Sequence, residues 1–206
     1  MTHPAEHLVA QYFRDRGLRP TPLKVGSCKA PDLRVLGPDG RLAFYCEVKS
    51  VDSEDPFERL MKWAATIGSA PSALGGKDTT VSRLGDRIHK GTKQLRAANP
   101  RREYPNVLAI VNNNPDVVPE DLRAALTGCE YTRSAAIVMY PEVGYGRLRR
   151  DLPLIDLFLW FDRPKHRLFY VFTDADAVHH RRLCELIPVE DSKIRRVPLP
   201  PIAPVD

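Results

Sequence analysis

Apolar residues recur at helical spacing from the start of the chain. Leu8, Val9, Tyr12 and Phe13 share one side of a helical wheel and Gly17 follows as a stop, which predicts a helix over 4–16. The next segment, LRPTPLKVGSCKAPD, carries three prolines and a glycine, so only a short strand around Leu23 to Val25 is expected there. Period two then takes over. In DLRVL, Leu33 and Val35 oppose Asp32 and Arg34; in RLAFYCEVK, Leu42, Phe44, Cys46 and Val48 alternate with Ala43, Tyr45, Glu47 and Lys49. GPDG between the two runs is a turn signal, so the pair reads as a hairpin with one apolar and one chemically mixed face.

Beyond the hairpin, residues 55–66 suit a short helix burying Phe57, Leu60, Met61 and Trp63, and 67–80 read as a loop. A helix over 81–98 follows, with Leu84, Ile88, Gly91, Leu95 and Ala98 on one stripe and Arg83, Arg87, Lys90 and Gln94 along a basic flank. NVLAIVNN is a continuous apolar run, the pattern of a strand covered on both faces. Then come a helix over 119–127 ended by Gly128, a strand in SAAIVMY, and two strands joined by a polar turn in LIDLFLWFDRPKHRLFYVF. A last helix in TDADAVHHRRLCELI has Thr173 and Asp176 spaced as a capping box, and VPLPPIAPVD is too rich in proline for a helix. This order predicts an α/β fold with a central mixed β-sheet flanked by helices. Neither an internal repeat nor a shift in composition divides the chain, and 206 residues suit one domain. Its expected parts are a core over 4–113, a C-terminal elaboration of strands and a helix over 114–190, and a proline-rich tail over 191–206.

Composition adds limits. With 43% hydrophobic and 28% charged residues and no apolar run near the ~20 needed to span a bilayer, the chain is expected to be soluble. The start, MTHPAEHLVAQYF, lacks the order of a secretory signal, so a cytoplasmic location is expected. Four widely spaced cysteines without a C-x-x-C pair argue against a disulfide framework or zinc ribbon. His180 and Cys184, one helical turn apart, are two ligands without a second pair and are taken as structural, beside an exposed His179. The net charge of +5 is concentrated in Arg147, Arg149 and Arg150, in 179–182, in Lys193, Arg195 and Arg196, and in Arg101 and Arg102, which suits a polyanionic partner.

The candidate chemistry lies in the hairpin. Glu47 and Lys49 project from the same, non-apolar face of their strand, and burying Leu33 and Val35 beside Phe44 and Cys46 turns Asp32 to that face too. A two-residue Pro38-Asp39 loop pairs Gly37 with Gly40 and brings Asp32 opposite Tyr45, diagonal to Glu47. A three-residue loop ending in a bulged Gly40 instead puts Asp32 opposite Cys46 and requires a second irregularity near Pro31. Two adjacent carboxylates repel, and a divalent cation is one remedy. Mg²⁺ takes one or two carboxylates and fills its shell with waters and phosphate oxygens. A neighbouring lysine orients the attacking water or stabilises charge on the phosphate. Phosphodiester hydrolysis needs that combination.

Pro31-Asp32 followed by Glu47-Val48-Lys49 resembles the motif of the PD-(D/E)xK nuclease superfamily, and the order helix, hairpin, helix, strand over 4–113 is similar to that family's restriction-endonuclease-like core. The resemblance implies a Mg²⁺-dependent nuclease, with Mn²⁺ able to substitute, acting on DNA and expected to be an endonuclease. Asp32, Glu47 and the Val48 carbonyl would bind metal and Lys49 would assist the water. It further implies a glutamate from the first helix, for which Glu6 is the candidate, and a polar residue on the following helix, where Gln94 or Lys90 matches. Arg83, Arg87 and Lys90 would then hold the nucleic-acid backbone, and the loop 67–80 would close over substrate. A homodimer is the simplest arrangement for cutting both strands. The alternative is a catalytically inactive protein of the same fold serving as a nucleic-acid-binding or assembly module.

Overall fold

The computed structural model describes residues 3–23, 30–52, 76–131, 136–138, 148–173, 176–189 and 194–197. The elements are α1 (Pro4–Arg14), β1 (Arg19–Pro22), β2 (Leu33–Leu36), β3 (Leu42–Val51), α2 (Gly76–Ala98), β4 (Asn106–Asn112), α3 (Pro119–Thr127), β5 (Cys129–Tyr131), β6 (Ala136–Val138), β7 (Leu157–Asp162), β8 (Arg167–Thr173), α4 (Ala177–Leu186) and β9 (Ile194–Val197), with two short 3-10 turns over 148–154. Seven strands form one mixed sheet in the order β1-β2-β3-β4-β7-β8-β9, and β5 and β6 form a separate two-stranded ribbon. The expected α/β architecture with a helix-flanked mixed sheet is therefore observed. Among the described residues no helix is long and apolar enough to cross a membrane.

The parallel centre, β3-β4-β7, follows from burial. Every residue of β4 and β7 is buried, as continuous apolar runs require when both faces of a sheet are covered. On one face Val9 and Phe13 of α1 and Leu183 of α4 pack with Val35, Phe44, Cys46 and Val48. The Tyr12 and Tyr170 hydroxyls meet at 2.9 Å and tie α1 to β8. On the other face Leu84, Ile88 and Leu95 of α2 and Leu122 and Ala125 of α3 pack with Val51, Leu108, Ile110 and Trp160. The candidate hairpin thus lies at the junction of the antiparallel strands with the parallel centre, with a helix on each side.

Several sequence expectations shift. The first described strand is Arg19–Pro22; of the strand expected around Leu23 to Val25, Leu23 follows β1 and 24–25 lie outside the described residues. As an edge strand β1 tolerates Pro20 and Pro22, whose equal parity turns both N–H-less nitrogens away from β2. The helix expected over 81–98 begins at Gly76, because propagation beyond the apolar stripe costs little once the helix is nucleated. The expected loop therefore ends before 80. The helix expected over 55–66 and the loop over 67–75 lie outside the described residues. Asp176 alone caps α4, accepting from the N–H groups of Val178 and His179, while Thr173 ends β8 and its hydroxyl donates to the Ile155 carbonyl. Within the tail, 194–197 form a strand parallel to β8.

His179, expected to be exposed, is 7% exposed and its Nδ1 lies 3.2 Å from Asp156 Oδ1. Asp156 also accepts from Arg102 Nη2 at 2.6 Å and from the Asn106 N–H at 2.8 Å. Burial raises the Asp156 pKa, and the Asn106 N–H, Arg102 and His179 oppose that rise. This knot fastens the connection from α2 to β4 against the start of β7 and α4. Asp156→Ala leaves the Arg102 guanidinium without its buried counter-charge, and the unfolding free energy measured in urea should fall by about 3–5 kcal/mol; unchanged stability would contradict this account of the knot.

Candidate active site

The turn takes the three-residue form. Gly37 N donates to the Arg41 carbonyl at 2.8 Å, Gly40 N donates to the Gly37 carbonyl at 3.0 Å, and Gly40 adopts φ +76°, a conformation that glycine adopts without penalty. On its own this loop would pair Leu33 with Tyr45 and set the two apolar patterns on opposite faces. A bulge prevents that. Leu36 faces Leu42, the register shifts between Val35 and Leu36, and Val35 then faces Phe44 while Leu33 faces Cys46. The extra residue is Ala43, buried with Phe44, while Leu42 is only half-buried. Both registers considered from the sequence are therefore corrected: the irregularity sits at Ala43 and not near Pro31, and the frame continues Asp32 towards Glu47 instead of Tyr45 or Cys46.

At that point the ladder changes character. Asp32 N donates to Glu47 Oε2 at 3.1 Å, and Val48 N donates to Asp32 Oδ2 at 2.8 Å. Each acidic side chain accepts a main-chain N–H from the opposing segment. Because N–H and C=O of one strand residue point to the same side, the Val48 carbonyl is also directed towards Asp32. Two carboxylates and a backbone carbonyl are all hard oxygen donors, the chemistry that Mg²⁺ prefers.

Glu47 is fully buried, and its pKa is pushed from the ordinary 4.5 up to about 8 by burial first and by the Asp32 charge second, with Lys49 and the Asp32 N–H opposing. The Lys49 ammonium offsets only part of this rise, and a divalent ion would supply further positive charge. Burial and the same two acids push the Cys46 thiol up as well, which makes it an inert core residue.

Lys49 Nζ donates to Glu47 Oε1 and, at 2.8 Å, to Gln94 Oε1. Gln94 Nε2 reaches the Ala30 carbonyl at 3.3 Å, so one α2 side chain links the lysine to the segment that presents Asp32. The close approach depends on Gly91, where a Cβ would come 2.7 Å from Leu108 Cδ1 and 3.3 Å from Glu47 Cγ. The signal for Gly91 was in the sequence: glycine inside an amphipathic stripe costs about 1 kcal/mol relative to alanine and implies a tight approach. No pattern pointed to the Ala30 carbonyl.

Asp32, Glu47, Lys49 and Gln94 thus come together. Glu6 does not join them. It is half-buried in the first turn of α1, the helix packed on the Phe44 and Cys46 face, whereas Glu47 meets Gly91 of α2 on the other. Among the described residues no group of three or more His, Cys, Asp or Glu side chains is placed to hold a metal ion. Lys90 is exposed, while half-buried Arg83 and Arg87 line a cleft beside Val51 and Asp52. Other clustered basic residues serve internal contacts: Arg102 binds Asp156, and Arg182 donates to the Leu42 carbonyl at 2.8 Å. Arg147 and Lys193 lie outside the described residues. No protein-family model, curated protein or solved structure matches the chain.

The raised Glu47 pKa predicts a sign for pH dependence. The folded state holds this proton more tightly than the unfolded state, so its contribution to stability is complete below pH 4.5 and is lost as pH rises from 4.5 through about 8. In EDTA the melting temperature should fall across that window, by an equivalent on the order of a few kcal/mol. Glu47→Gln, which can still accept from Asp32 N, should flatten the slope; equal slopes in both proteins would contradict the assignment.

Proposed function

We propose that the chain is a metal-dependent nuclease of the PD-(D/E)xK type that hydrolyses phosphodiester bonds in DNA. The observation that carries this reading is the interlocked Asp32–Glu47 pair with Lys49 and Gln94 beside it. Supporting it, helix α1, the β2-β3 hairpin, crossover helix α2 and parallel strand β4 follow one another as in the restriction-endonuclease-like core. Asp32, Glu47 and the Val48 carbonyl would hold Mg²⁺. When bound, the ion supplies Lewis-acid activation of a phosphoryl oxygen and of water.

The protein's own groups do the remaining work. The reciprocal main-chain bonds hold the two carboxylates at a separation set by the sheet and not by solvent. Gln94 limits where the Lys49 ammonium can go, keeping it beside Glu47 to orient the attacking water or to stabilise negative charge on the phosphate. Gly91 lets α2 cover Glu47 and keep bulk water from it, which strengthens every electrostatic interaction there. Glu6 has no part in this proposal.

Purified protein incubated with plasmid, linear duplex, single-stranded DNA and RNA should cleave DNA only when Mg²⁺ or Mn²⁺ is added. Lys49→Ala should slow cleavage by about 10²–10³-fold, and Glu47→Ala should reduce it to background while both variants keep the wild-type circular dichroism spectrum. Cleavage that survives in both folded variants would sink the assignment. Metal-independent nucleic-acid binding without cleavage would favour the inactive binding module.

A further inference from the structure

We propose that the row of Thr21, Arg34 and Tyr45 across β1, β2 and β3 is a track for one unpaired nucleic-acid strand, in which Tyr45 stacks on a base and Arg34 holds the backbone. The track stands on its own residues, and only its lying next to a cleavage point rests on the nuclease reading. Its place follows from parity and register. Tyr45 precedes Glu47 by two residues on β3 and packs on the α2 side of the sheet, the side on which Glu47 meets Gly91. Arg34 lies opposite Tyr45, and Thr21 lies opposite Arg34, so the three side chains share that face at one level of the sheet. The row is about 7 Å along β3 from Glu47, comparable to the step between successive nucleotides of an extended strand.

The chemistry of the row suits a strand with free bases. Arg34 is exposed between buried Leu33 and Val35, and its guanidinium makes no hydrogen bond or ion pair among the described residues. A planar fork of donors so placed matches phosphate oxygens, and half-buried Thr21 adds a hydroxyl. Tyr45 is half-buried, and its ring is held from one side by Tyr104, which meets it edge to face with centroids 6.4 Å apart and planes at 86°. Arg182 braces Tyr104 in turn: its guanidinium carbon lies 5.5 Å from the Tyr104 ring centroid while Nη2 donates to the Leu42 carbonyl. A ring fixed in this way loses little freedom when a base stacks on it, and every base has a π-face, so the track reads no sequence. A base paired inside a duplex cannot present its face to Tyr45, which makes the occupant a single strand.

Stacking and charge can be separated by two probes, a labelled single-stranded oligodeoxythymidylate and inorganic polyphosphate, a polyanion without bases. Binding would be followed by fluorescence anisotropy, directly and by competition, in EDTA over a range of salt, for the wild type, Tyr45→Leu, Tyr45→Phe, Arg34→Gln and Arg34→Lys. Tyr45→Leu should weaken oligonucleotide binding by about 5–150-fold, the loss of one base–aromatic stack, and leave polyphosphate binding unchanged; Tyr45→Phe should bind as the wild type does. Arg34→Gln should weaken binding of both probes and lower the slope of log affinity against log salt by about 0.7, the share of one phosphate contact on a single strand, while Arg34→Lys should keep the slope. A wild type that does not bind the oligonucleotide overturns the track. So does a Tyr45→Leu variant that binds it as tightly as the wild type or loses polyphosphate to the same degree, and so does an unchanged slope in Arg34→Gln. If Tyr45→Leu does not fold, the slope of Arg34→Gln, a change at an exposed position, decides. Cleavage of the same strand with Mg²⁺ separates the two claims. A wild type that cuts nothing but shows these losses keeps the track and loses the nuclease reading, whereas cleavage by a wild type whose binding is indifferent to both substitutions does the reverse.

Discussion

The exchange of main-chain N–H groups between Asp32 and the Glu47–Val48 segment is the interaction around which the candidate site is organised. Carboxylates avoid burial and avoid each other, yet here one is fully buried beside the other. The sheet holds them by making each carboxylate the acceptor for a donor that would otherwise lose its ladder partner where β2 ends. The cost of that arrangement appears as the raised Glu47 pKa, and Lys49 relieves only part of it.

The surroundings are consistent with that constraint. Ala43 adds one residue to β3 and thereby keeps Leu33, Val35, Phe44 and Cys46 on one buried face, which leaves Glu47 and Lys49 to the other. Gly91 leaves out a Cβ that would crowd Leu108 Cδ1 and Glu47 Cγ, and Gln94 joins Lys49 to Ala30. Away from the site, the Asp156 knot fixes the connection that leads from α2 into β4, so the helix and the strand beside β3 are held in relation to each other.

Much of this was legible in the residues. Alternation gave β2 and β3, the continuous apolar run gave β4, and the shared parity of Glu47 and Lys49 gave their common face. What the pattern did not reveal was register, because a bulge at a small residue such as Ala43 leaves no signature beyond a break in alternation that alanine, being nearly neutral, does not display. Contacts between distant segments were similarly hidden: Gln94 was legible as a candidate, but its Ala30 partner was not. His179 and Arg102 read as solvent-facing charge, and both are drawn inward by Asp156, a single acid in an apolar run. Glu6 matched a family pattern by position on its helix, but helical position alone does not determine what a side chain meets across a sheet.

The central claim is that Asp32 and Glu47 form a built site for a divalent cation. Isothermal titration of Mn²⁺ into the metal-free protein at pH 7, repeated in buffers of different ionisation enthalpy, tests it directly. A carboxyl with a pKa near 8 must lose its proton to become a ligand, so one ion should bind with release of close to one proton. Asp32→Asn should weaken that binding at least tenfold. Absence of Mn²⁺ binding, or binding that releases no proton and is indifferent to Asp32→Asn, would contradict the account.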